Sequence, residues 1–220
     1  MKLRKFLLVA AAILMATGCN GKVANTSETT TTGKAKSEKK ALVVFFSHAG
    51  ENYSVGNITT GNTKIVANYI SDIIGADQFE IITNKYDNMD YKALCDLAKE
   101  EQEQGLMPDF KGSILRPSTK KSLSLKENIN QYDVIFIGGP VWWGTYPQVM
   151  FSFFKKYALQ FKNKTIIPFT THEGSGLGNC VSDVKKAFPD SKVTGEFCIA
   201  GHDVRTGRAR VEKWLNGLTY

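Results

Sequence analysis

The sequence predicts a doubly wound α/β domain, one sheet of five parallel strands with helices on both faces. Three observations carry that prediction. Short apolar runs alternate with amphipathic stretches from residue 41 to 220. Two of the runs, ALVVFF at 41–46 and VIFI at 134–137, are apolar without alternation, the mark of a strand buried on both faces. Successive runs are separated by helix-length segments, as the crossovers between parallel strands require.

Taken in order, the first strand is 41–46. The helix after it carries Ile65, Val66, Tyr69, Ile70, Ile73 and Ile74 on one stripe and stops at Gly75. A second strand is expected at 79–82, and a charged helix at 90–104 closed by Gly105 and Pro108. Residues 106–130 read as irregular. The third strand, 134–137, runs into Gly138-Gly139-Pro140. A helix at 148–159, a strand at 165–169, a glycine-rich loop at 171–178, a helix at 179–188, a strand at 193–199 and a last helix ending near Leu215 complete the series. There is no internal repeat.

What precedes residue 41 reads differently. Residues 1–18 have a basic start with Lys2, Arg4 and Lys5, then an apolar run at 6–16, too short to span a bilayer. The run ends in Ala16-Thr17-Gly18-Cys19, which resembles a bacterial lipoprotein cleavage box, and the expectation is an export signal with Cys19 lipidated. Residues 19–40 are Thr, Ser, Gly, Asn, Lys and Glu with almost nothing apolar, so they are expected to form a disordered tether. The formal charge of +7 belongs largely to these segments. Residues 41–220 hold 20 basic and 19 acidic side chains, a net of +1, which excludes the basic face of a nucleic-acid reader. Cys95, Cys180 and Cys198 form no C-x-x-C pair; Cys198 reads as core, and a Cys180–Cys198 bridge stays open.

In open parallel sheets, ligands bind beyond the carboxyl ends of the strands where strand order reverses. The loops there, after strands one, three and four, are the oddest stretches in the chain. The first, 47–63, far exceeds the usual two to six residues or so. It closes in Thr60-Gly61-Asn62-Thr63 at the start of a helix, where free amides and the helix dipole suit an anion. Hydroxyls of Ser47, Thr59, Thr60 and Thr63 can donate to phosphate oxygens, and Gly61 permits close approach. Neither G-x-x-x-x-G-K-[ST] nor G-x-G-x-x-G occurs here, so a small monophosphate fits better than a triphosphate or a dinucleotide. The second loop, GGPVWWGTYPQ, sets Trp142 and Trp143 where flat side chains can stack on a planar ring, with one of the two expected to plug the end of the sheet. The third, THEGSGLGNC, fails G-x-S-x-G at Glu173 and Leu177, and fails H-E-x-x-H at Gly176. What it offers is backbone amides freed by Gly174, Gly176 and Gly178. His48, His172 and His202 are too scattered in sequence to read as a metal site.

A phosphate cradle, an aromatic platform and an amide-rich loop on one sheet edge describe a flavin mononucleotide site. With FFSH…TGNTKIVA, residues 86–100 followed by Arg116-Pro117, YDVIFIGGPVWWGTYP and IIPFTTHEGSGLG, the chain from 41 to about 215 resembles the flavodoxin family. The resemblance implies the strand order 2-1-3-4-5 and FMN as cofactor. It implies that Ser47, His48, Asn62 and Thr63, with Thr60 and Gly61, hold the phosphate, and that residues 49–59 are an insertion. Trp142 or Trp143 would stack on the ring, with Pro140, Gly144 and Tyr146 beside them. Gly144 would lie near the reactive ring nitrogen in a peptide free to flip. Thr171, His172 and the amides of Glu173, Gly174, Gly176 and Leu177 would hold the pyrimidine end, with His172 or Leu177 over the second ring face.

Three functions follow as expectations. The first is an electron carrier anchored at the outer face of a bacterial membrane, serving a redox partner protein or a small electron acceptor. The second is an FMN-dependent reductase of quinones or other small acceptors. The third is a non-redox binder of a nucleotide or phosphosugar, with the tryptophans as core.

Overall fold

The computed structural model describes residues 39–220. The expected signal peptide, the expected lipidation site Cys19 and the expected tether as far as residue 38 lie outside the described residues. Lys40, expected as tether, is part of the fold. Its backbone N–H donates to Asp133, its ammonium lies 3.5 Å from the buried Asp77 carboxylate, and it sits over the Tyr132 ring.

Strand β1 (Ala41–Phe46) is buried along its whole length. It pairs in parallel with β4 (Asp77–Ile81) on one side and β7 (Val134–Pro140) on the other. Beyond β7 lie β8 (Thr165–His172) and then β10 (Phe197–Ala200), both parallel. Numbering only the five predicted strands, the order is the expected 2-1-3-4-5. Alternation along β1 sends Leu42, Val44 and Phe46 to one face and Val43 and Phe45 to the other. Helices α1 (Asn62–Ile74) and α6 (Arg208–Asn216) cover the second face. Helices α2 (Tyr91–Gln104), α4 (Gln148–Tyr157) and α5 (Cys180–Ala187) cover the first.

Caps set the helix limits as expected. Gly75 and Gly105 end α1 and α2 in the left-handed region, at φ 68° and 63°, where a side chain would be strained. Asp90 caps α2 by accepting from the Ala93 amide at 2.8 Å.

Four expectations are corrected. Residues 106–130 are not irregular. They add antiparallel strands β5 (Ile114–Arg116) and β6 (Lys121–Leu123) outside β4, followed by a short helix α3 (Leu125–Asn128). Three-residue strands leave almost no periodicity to read; a tertiary ion pair, Arg116 to Asp77 at 3.2 Å, holds this edge. The strand expected at 193–199 splits into β9 (Lys192–Val193) and β10 at Gly195, whose φ is 70°. Strand β8 runs on to His172, so the third loop begins at Glu173. The long first loop contains a hairpin of β2 (Gly50–Asn52) and β3 (Gly56–Ile58). Cys95, Cys180 and Cys198 are all free thiols.

Candidate functional site

The first loop and α1 build a cradle. Ser47 Oγ accepts from the Lys64 amide at 3.0 Å, capping α1 from outside the helix. A Cβ on Gly61 would lie 2.3 Å from Ser47 Oγ and 2.4 Å from the His48 carbonyl oxygen, so only glycine lets the loop fold onto the helix start. Gly61 itself has no side chain to cap α1, so with the Lys64 amide taken by Ser47 the Asn62 and Thr63 amides of the first turn are left for a ligand. Thr63 Oγ1 and Thr171 Oγ1 share a 2.7 Å hydrogen bond that ties α1 to the end of β8. Burial lowers the His48 pKa below its ordinary value, against the pull of Asp87 and a hydrogen bond to the Glu51 carbonyl. Its buried Nε2, like the buried Oδ1 of Asn62, has no partner among the described residues.

The two tryptophans take different roles. Trp142 is half-buried and meets Phe46, His48 and Tyr86 edge-on at 5.8, 5.7 and 5.2 Å. It is the plug. Trp143 is 52% exposed, and Lys99 Nζ sits 5.5 Å from its ring. Backbone bonds between Trp142 and Thr145, with φ of 49° at Trp143 and 82° at Gly144, mark a tight I′-type turn that projects Trp143 outward. Its indole N–H donates to the Cys95 carbonyl at 3.0 Å, which anchors the ring against α2.

Several expected contacts are not made. The Gly144 carbonyl accepts from the Asn179 amide at 2.8 Å, so that peptide is held. The peptide with freedom to turn is the preceding one, whose Trp143 carbonyl takes only a 3.3 Å bond from the Gln102 side chain. Tyr146 is not at the site. It is 1% exposed, and its hydroxyl donates to the Ile137 and Phe169 carbonyls, clamping β7 to β8. In the third loop, the Gly174 amide is spent on His172 Nδ1 at 3.0 Å, and the Gly176 carbonyl accepts from Thr170. The His172 pKa is lowered, first by burial.

The loops meet around a cavity of about 500 Å³. His48, Asn62, Thr63, Pro140, Trp142, Trp143, Gly144, Thr171, His172 and Glu173 line it. Ser47 and Gly61 shape the cradle behind it, whereas Thr60, Gly174, Gly176 and Leu177 stand outside the lining. Besides Val141 and Ser175, sequence reasoning missed three contributors. The hairpin brings Glu51, Asn52, Tyr53 and Val55, and α2 brings Asp96 together with Tyr91, Leu94, Cys95 and Ala98. That spacing is a helical stripe, but on the sequence it reads as ordinary core. The third is Gly201, where a Cβ would stand 2.4 Å from Asn62 Nδ2 and 2.6 Å from Glu173 Oε1. Beside it, the His202 amide donates to Glu173 Oε1 at 2.9 Å, and His202 Nδ1 lies 2.7 Å from Oε2. That carboxylate raises the His202 pKa.

A parallel sheet with an anion cradle, buried polar atoms left without partners among the described residues and an exposed indole at its switch point defines a mononucleotide-binding protein of the doubly wound class. The sequence profile of the Flavodoxin family matches residues 40–218, and the chain belongs to that family. Among solved structures, a protein assigned as a flavoprotein from Bacteroides eggerthii DSM 20697 is 27% identical, over 80% of this chain and 96% of that one, with a TM-score of 0.54. A flavoprotein from Lactobacillus acidophilus NCFM, solved in complex with FMN, is 22% identical over 80% of this chain and 99% of that one, at TM-score 0.55. A similar protein from Bacteroides uniformis ATCC 8492 is 22% identical over 81% and 98%, at 0.57. The last two likenesses establish the fold. No curated protein matches the chain significantly.

The lining fits FMN. The amides at the start of α1 suit a phosphate, and an exposed indole suits a planar ring. Asn62 Oδ1 is a buried acceptor and His48 Nε2 a buried ring nitrogen, both without a partner among the described residues, and a polyol chain between phosphate and ring supplies hydroxyls that can donate or accept.

Proposed function

We propose that the protein is an FMN-binding flavodoxin that carries electrons at the outer face of a bacterial membrane, anchored through Cys19. One observation carries the cofactor reading: unpartnered buried polar atoms and open helix amides converge in one cavity beside Trp143. FMN supplies the redox chemistry when bound, and the chain's residues bind, orient and shield it. Family membership supports the same reading. Residues 1–19 support the anchor, with their basic start, short apolar run and terminal Cys.

The test is the visible spectrum of residues 20–220 after incubation with FMN and removal of the excess. Flavin bands that weaken on Trp143→Ala are the expected result; a colourless protein that leaves flavin fluorescence unquenched sinks the redox reading in favour of a nucleotide or phosphosugar binder. For the anchor, Cys19→Ser in the full chain should move the protein from the membrane fraction to the soluble one. Unchanged fractionation would remove the lipid from the account.

A second reading, a reductase of quinones or other small acceptors, is favoured by the extension of the cavity past the cradle to the hairpin and α2. Steady oxidation of NADH or NADPH by the FMN-loaded protein would select it over the carrier.

A further inference from the structure

The hairpin is docked rather than loose. Glu51 Oε2 accepts from the Tyr91 amide at 2.8 Å, in the first turn of α2. The Tyr53 ring stacks on the Tyr91 ring at 6.1 Å and 29°. Both rings line the same cavity as the cradle, at its opposite end in exposure. Tyr53 is 63% and Tyr91 39% exposed, against 1% for Thr63 and 4% for Thr171. The cradle is therefore the closed end and the tyrosine wall the mouth. The hairpin belongs to none of the strands that carry the cradle, so the sheet edge does not need it.

The mouth has a definite chemistry. Among the described residues, carboxylates of Glu51 and Asp96 line the cavity from the hairpin and α2, and Glu173 lies farther in beside Asn62. No Lys or Arg of those residues is in the lining, with Lys99 standing over the outer Trp143 ring. Tyrosine faces carry negative charge density, which favours electron-poor or cationic rings. The same carboxylates repel anions.

We infer that the Tyr53–Tyr91 wall is a subsite for a flat, electron-poor aromatic molecule that is uncharged or cationic, bound at the mouth beside the cofactor. It deepens the reading of the cavity as an FMN site and rests on it. The 49–59 insertion is then a specificity element, selecting by ring shape and charge what reaches the cofactor.

The test uses three bicyclic probes of similar shape: quinoline, N-methylquinolinium and 2-naphthoate. Binding to the FMN-loaded protein is followed by calorimetry and by the tyrosine ring resonances, with no turnover involved. Quinoline and N-methylquinolinium should bind at least about tenfold more tightly than 2-naphthoate and shift the Tyr53 and Tyr91 signals. Tyr53→Ala and Tyr91→Ala should each weaken them by about three- to tenfold, while FMN affinity stays within about twofold. Glu51→Gln, which keeps an acceptor for the Tyr91 amide, should narrow the gap to 2-naphthoate and guards against a variant that misfolds. Equal binding of all three probes, displacement of FMN by a probe, or an equal loss of FMN affinity in Tyr53→Ala would overturn the inference. Failure of the unmodified protein to take up FMN is read separately, from the flavin bands, and overturns the reading beneath it.

Discussion

Gly201 shows how one missing Cβ shapes the cavity. A methyl group there would lie inside contact distance of both Asn62 and Glu173, two polar side chains of the lining. Gly201→Ala must displace one of them, at an overpacking cost of about 1–3 kcal/mol. If the displaced group is a cofactor contact, FMN affinity falls by tenfold or more while the fold persists; a fluorescence titration beside a thermal melt separates the two effects. The neighbouring His202 carries a pH dependence. Its pKa is raised, first by the hydrogen bond to Glu173. Its stabilising contribution is therefore full below the ordinary value near 6.5 and is lost as pH rises through the raised value. His48 and His172 work the other way, since burial lowers both and stability is lost as pH falls below about 6.5. His202→Asn should lower the melting temperature on the acid side, leave it nearly unchanged above the raised pKa, and so remove this group's share of the fall between the two. A profile unaltered on both sides would remove the Glu173 contact from the account.

Adjacent residues part company when an element turns between them. The tight turn at 142–145 drives Trp142 into the aromatic cluster of Phe46 and Tyr86 and sends Trp143 toward solvent. Trp142→Ala leaves a void in that cluster and should cost about 3 kcal/mol or more of stability. Trp143→Ala should leave the melting temperature nearly unchanged and raise the FMN dissociation constant about two- to tenfold, the worth of one aromatic face. Chemical denaturation of both variants, paired with flavin titration, checks the split; equal destabilisation by both would refute it. Behind the turn, the Gly144 carbonyl bonds to the Asn179 amide, and a Cβ on Gly178 would come within 2.4 Å of that oxygen. The second and third loops are thus one packed unit, held also by Thr145 donating to Asp183 at 2.6 Å.

Across the whole molecule, the sheet separates two apolar layers and gathers the site at one end of its strands. Charge balance over 41–220 gives the fold no strong net field. Electron exchange with a protein partner should accordingly change less than about threefold between low and physiological salt, where a strongly charged carrier loses far more to screening. Stopped-flow rates at two ionic strengths measure this directly, and a steep salt dependence would point to a local charged patch governing docking.

The sequence by itself determined the five parallel strands, their crossovers and the three loops that converge. Burial on both faces leaves continuous apolar runs, and helix caps leave Gly and Asp at fixed positions, so these features are local and legible. Asn62, Thr63, Trp143 and Thr171, which line the cavity, were readable as candidates because they stand at the carboxyl ends of strands or in the first turn of the helix that follows. Only the tertiary structure decided that Tyr146 clamps two strands, that Trp142 is the plug, and that Gly174 spends its amide on His172. It alone joined Gly201 and His202 to Glu173, and set Tyr53 on Tyr91 across 38 residues of chain. Such partners lie on different elements, and their meeting depends on strand order and side-chain packing, which no local period of the sequence encodes.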